Sequence, residues 1–111
     1  MEAKTMAELQ AMYDEVGNFR EGLARVSKDG KWFHIRRNGT PAYKQRYDEV
    51  GEFCEGLAWV RKGKNWFHIR SDGNPAYEQR YDWVGNFCEG LAWVCKNGKQ
   101  FHIRPNGTKV E

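Results

Sequence analysis

Hydrophobic and polar positions alternate along this chain in short runs. Leu23-Ala24-Arg25-Val26-Ser27-Lys28 and Lys31-Trp32-Phe33-His34-Ile35-Arg36 flank Asp29-Gly30. A period of two predicts half-buried strands. Asp-Gly between two such runs predicts a two-residue hairpin turn, whose central residues need positive φ. The short loop fixes the register. Val26 then faces Phe33 and Ala24 faces Ile35 on one side. Arg25 faces His34 and Ser27 faces Trp32 on the other.

The same rule holds further along. Around Gly63-Lys64 it sets Trp59 opposite His68 and Arg61 opposite Trp66. Around Asn97-Gly98 it sets Trp93 opposite His102 and Cys95 opposite Gln100. Ala58, Val60, Phe67, Ile69 and Ala92, Val94, Phe101, Ile103 thus join Ala24, Val26, Phe33 and Ile35 as the expected core. A second turn follows each hairpin at Asn38-Gly39, Asp72-Gly73 and Asn106-Gly107. A third, very short strand is expected at Ala42-Tyr43 and Ala76-Tyr77, at an edge because Pro41 and Pro75 open it. In the segment YDxVGxF the apolar residues Tyr47, Val50 and Phe53 are spaced three apart, which predicts a helical turn or tight bend linking one hairpin to the next.

These elements recur. Tyr13, Tyr47 and Tyr81 stand 34 residues apart, as do His34, His68 and His102 and the glycines that follow them. A fixed period of this length predicts a repeat array whose units bury their apolar sides against neighbours. The expected fold is all-β: tandem β-hairpin or meander repeats in an open antiparallel array. The units read as 13–46, 47–80 and an incomplete 81–111, within one domain. Residues 1–12 read as a short capping helix, with Thr5 as N-cap and Met6, Leu9 and Met12 or Tyr13 on its inner side.

The pattern FxEGLAxV, a KxGKW-like turn, an aromatic-x-Ile pair, a glycine turn and a Tyr-Asp corner resembles the WG-containing, or KWG, repeat family, over residues 13 to 110. The EGLA-V segments Glu21–Val26, Glu55–Val60 and Glu89–Val94 carry the resemblance. It implies an all-β bacterial repeat domain used for binding or scaffolding, and no catalytic residues to carry over. The namesake dipeptide departs from the pattern, because Phe33 and Phe67 stand where the family's glycine follows tryptophan.

Composition narrows the function classes. Eighteen basic and fifteen acidic residues are interleaved to a net charge of +3, with no one-signed block, which argues against nucleic acid as partner. The N-terminus carries no apolar run of signal or membrane-span length. Three cysteines without CxxC spacing argue against a disulfide scaffold, so a cytoplasmic, reducing compartment is the default.

Four sets of residues invite chemistry. His34, His68 and His102 suit metal binding or acid–base work, but period-locked residues are more often framework, hydrogen-bonded here to an acid such as Asp14 or Glu21. Cys54 with His68, and Cys88 with His102, make a candidate zinc set, weakened by Arg20 at the matching place in the first unit. Arg36, Arg70 and Arg104 beside tryptophan resemble a single-strand groove, or pair with Asp14, Asp48 and Asp82. The rows that change between units weigh most: Arg25, Trp59, Trp93 and Trp32, Trp66, Gln100, with Arg61 beside them. A kept core with one varied face predicts a binding surface, and tryptophan and arginine are common anchors. Equally, Trp59 and Trp93 would complete a second core layer under a neighbouring unit.

The expected function is therefore a non-catalytic module for protein binding or scaffolding. Its site is Trp32, Trp59, Trp66, Trp93, Arg25, Arg61, Arg36, Arg70 and Arg104, without cofactor or metal. The alternative is a carbohydrate or cell-envelope ligand stacked on the tryptophan row. Self-association through the repeat ends is open.

Overall fold

Residues 2–110 are described by a computed structural model, in which one helix leads into three antiparallel sheets set in a row. Helix α1 spans Met6–Met12. Thr5 Oγ1 accepts the Glu8 N–H while the Glu8 carboxylate accepts the Thr5 N–H, so the first turn is closed by a reciprocal cap. Of the apolar positions assigned to its inner side, Leu9 goes under completely, while Met6 and Met12 remain exposed. No helix among the described residues is long and apolar enough to cross a membrane.

The first sheet holds β1 (Glu15–Arg20), β2 (Leu23–Lys28) and β3 (Lys31–Ile35). The second holds β4 (Glu49–Val50), β5 (Ala58–Lys62) and β6 (Asn65–Ile69). The third holds β7 (Trp83–Val84), β8 (Ala92–Lys96) and β9 (Lys99–Ile103). All three hairpins have the register that alternation and turn chemistry dictate. Ala24, Val26, Phe33 and Ile35 and their counterparts form one continuous core, with only Phe101 partly open.

Two local expectations fail. The YDxVGxF segment is extended: it supplies β1, β4 and β7, the first strand of each sheet. In β1 the register shifts between Val16 and Phe19. A bulge adds one residue, so two apolar residues three apart both turn inward, and the spacing mimics a helical turn. The strand at Ala42-Tyr43 is also absent. The segment instead makes single bridges at Ile35–Pro41 and Ile69–Pro75, and the third unit makes the same bridge at Ile103–Lys109.

Neighbouring sheets are stitched by backbone. Trp32 and Tyr47 exchange two N–H···O bonds at 2.8 and 3.0 Å, and Trp66 and Tyr81 do the same at 3.0 Å. Asp48 turns back to its own hairpin, where its carboxylate accepts the Gly63 N–H at 2.7 Å. Asp14 and Asp82 hold the Asp29 and Asn97 amides alike. The aspartate of each Tyr-Asp pair is thus a turn clamp.

Candidate functional site

The junctions between units come first, because they decide which faces stay open. His34 projects from β3 and is fully buried. Its Nε2 lies 2.7 Å from the Gly51 carbonyl, and its Nδ1 lies 2.5 Å from the Tyr43 hydroxyl. A carbonyl only accepts, so Nε2 carries the proton, Nδ1 accepts, and Tyr43 donates. His68 repeats the arrangement with Gly85 and Tyr77 at 2.8 and 2.5 Å. Burial lowers both imidazoles to about 4. It also raises the Tyr43 and Tyr77 hydroxyls well above the ordinary phenol range, which keeps them as donors. Phe53 of the following unit meets the His34 ring edge-on at 4.5 Å, and Phe87 meets His68 at 4.6 Å.

His34 and His68 are therefore interior posts rather than displayed groups, and tyrosine and a backbone carbonyl hold them instead of the expected acid. In this neutral state the Nδ1 lone pair of His68 accepts from Tyr77. The Cys54 thiol donates to the Phe87 carbonyl at 3.2 Å. Those contacts occupy Cys54 and His68, two of the four groups on which the zinc reading drew.

A second ladder runs along the Glu-Gly turns. Glu21 and Gly22 have φ of 50° and 81°, which points consecutive N–H groups the same way. At Glu55-Gly56 both amides donate to the Glu21 carboxylate at 2.8 Å. At Glu89-Gly90 they donate to the Glu55 carboxylate at 2.6 and 2.8 Å. Each unit's glutamate is the ligand of the next unit's turn.

The nine residues expected to form a site are dispersed by this framework. Arg36, Arg70 and Arg104 sit just past the ends of β3, β6 and β9 and donate to the carbonyls of Pro41, Pro75 and Lys109 at 2.7, 3.2 and 3.2 Å. They brace the second turn, and the expected pairing with Asp14, Asp48 and Asp82 does not occur. Arg61 is bound to Glu49 at 2.9 Å. Arg25 lies over its own Gly17 and reaches the Val50 carbonyl. Trp32 is half-buried. Trp59 and Trp66 are half-buried against each other, with centroids 5.0 Å apart, and Trp59 also covers Gly51. The row is not a continuous platform.

One part of it is open. Trp93 is 49% exposed and Trp83 is 46% exposed. Trp83 pairs with Cys95, and Trp93 lies two residues from Cys95 along β8, so both rings project from the same face of the third sheet. No phenylalanine of a following unit reaches His102. Trp93 stacks on that ring instead, at 3.6 Å. Sequence reasoning missed Trp83, which replaces the glutamates Glu15 and Glu49 of the other units. That replacement was the available signal.

The family described as WG containing repeat matches residues 9–32, 35–66 and 69–99. No curated protein matches the chain.

Proposed function

Because the chain belongs to the WG containing repeat family, we propose that it acts as a non-catalytic repeat module that binds another protein through the open face of its third sheet. One observation carries this reading. Two tryptophans on one face of the third sheet stand at about half their full exposure, whereas Trp59, the counterpart of Trp93, is half-buried against Trp66. Large rings left together on a surface are a liability unless something covers them. Tryptophan is also the side chain whose burial contributes most at interface centres. His102 and Gln100 supply polar groups beside the rings. The non-catalytic part of the reading rests on the buried histidines, whose ring nitrogens are already spent on unit-to-unit bonds.

The test is quantitative capture of binding proteins by wild type and by the Trp83→Ala/Trp93→Ala chain, with far-UV circular dichroism to confirm that both are folded. Binding is expected to weaken at least roughly tenfold in the double variant. Equal capture by both chains overturns the reading. A saturable fluorescence change with oligosaccharides, lost in the same variant, would instead favour the carbohydrate alternative.

A further inference from the structure

The third sheet presents a set of groups that the first and second sheets use to hold the unit after them. Glu21 and Glu55 each receive two turn amides, and His34 and His68 each receive a glycine carbonyl and a phenylalanine ring. Glu89 and His102 are their counterparts, and among the described residues neither side chain has such a partner. The matching groups stand at the other end of the molecule. The Glu21 and Gly22 amides form the same turn, with φ of 50° and 81°, and meet no acceptor among the described residues. Phe19, the counterpart of Phe53 and Phe87, packs partly against the core, with the Arg37 guanidinium and no histidine over its ring.

Helix α1 does not close that end. At Gly39, Lys4 and the helix residues Leu9 and Met12 stand where Tyr43 and Gln45 of a preceding unit stand at Gly73. Its Leu9 carbonyl also takes the Tyr13 N–H, which in the second unit goes to Trp32. The Met12 carbonyl also accepts from Lys28 Nζ, and beyond the helix Arg20, Glu21 and Gly22 stay exposed.

We infer that the open face of the third sheet takes the first unit of a second copy of this chain, with Glu89 accepting from the Glu21 and Gly22 amides of that copy. This rests on the protein-binding reading above and names the partner. The warrant is that the turn holds a carboxylate at both internal junctions, so both halves of the contact exist in the chain already. Docking brings the incoming Phe19 to His102, which displaces Trp93 from that ring. The contact joins unlike surfaces, so it does not close on itself and leads to an open series of head-to-tail assemblies.

Sedimentation velocity of the full chain, from low to high micromolar concentration, tests this. Mass is expected to rise with concentration, and tryptophan emission to shift in step as Trp93 moves. Glu89→Lys, at an exposed side chain that no described residue uses, should weaken association at least roughly tenfold by removing two charge-assisted bonds. Phe19→Asp should do the same from the other end, with Phe19→Ala as the gentler variant. An equimolar mixture of Glu89→Lys and Phe19→Asp chains should give heterodimers and nothing larger, because one intact head meets one intact tail. A chain that stays monomeric throughout overturns the proposal, as does an oligomer indifferent to Glu89→Lys. If capture of another protein still falls on loss of Trp83 and Trp93, self-docking alone has failed and the protein-binding reading stands.

Discussion

Lowering the pH from about 7 to about 5 should destabilise the array steeply, and two buried histidines set the size of the effect. His34 and His68 have folded values of about 4 against an ordinary 6.5, chiefly because burial disfavours the imidazolium. The arrangement reinforces this. Protonation would put a proton on Nδ1, where the Tyr43 or Tyr77 hydroxyl already donates, and Arg25 adds a nearby positive charge to His34. With folded values depressed, the unfolded chain takes up protons first. Stability is full above about pH 6.5, declines between there and about pH 4, and is flat below. Each histidine contributes a slope of about 1.4 kcal/mol per pH unit, which integrates to about 2 kcal/mol by pH 5, or about 4 kcal/mol for the pair. The lowered carboxylates do not compete in this window. Asp48, held down first by its bond to Lys31, and Glu8, by its bond to the Thr5 amide, lose their contributions only below their ordinary range near pH 4. Urea unfolding at a series of pH values, followed by circular dichroism, gives the slope directly. His68→Gln should reduce it to about half. Unchanged stability between about pH 7 and 5, or a slope that survives loss of both histidines, would refute the assignment of these groups as the buried titrating pair.

Two further outcomes separate backbone strain from packing and local bonds from ends. Gly22→Ala and Gly73→Ala both force alanine into positive φ, but a side chain at Gly22 meets open space while one at Gly73 lands 2.5 Å from Tyr43 Cβ. Denaturant melts should therefore show about 1 kcal/mol lost at Gly22 and about 3 kcal/mol or more at Gly73. Glu55→Ala removes the acceptor of two turn amides and should cost about 1–2 kcal/mol in the same assay, whereas Glu89→Ala at low protein concentration should cost close to nothing.

The hairpins were legible because alternation and turn chemistry act over a few residues. Once Asp29-Gly30 sets a two-residue loop, Val26 has no choice but Phe33, and the whole apolar face follows. The first strand of each sheet was not legible, because a bulge between Val16 and Phe19 turns a period of two into an apparent period of three. Nor was the burial of His34. Its ring is on the hairpin face opposite the core, and only the arrival of Gly51 and Phe53 from the next unit makes a second layer there. Alternation within one hairpin carries no information about what the following unit lays over it. The arginines at 36, 70 and 104 misled for a related reason. Their partners are backbone carbonyls beyond the second turn, and carbonyls leave no trace in a sequence.

In an array, identity of residue and identity of environment come apart. Trp59 and Trp93 occupy the same place in the same hairpin, opposite equivalent histidines. Phe87 of the third unit covers His68, and Trp59 turns aside onto Gly51 and Trp66. Among the described residues no phenylalanine covers His102, and the tryptophan at 93 lies on the imidazole with half its surface in water. The glutamates behave alike: Glu55 is a structural ligand because two amides face it, and Glu89 is a surface carboxylate because none does. The residues that repeat most strictly are thus consumed in joining units wherever a neighbour exists. They are released for binding only at an end of the array. A search for function among the varied positions alone would pass over Glu89 and His102, whose chemistry is free because of where they stand and not because of what they are.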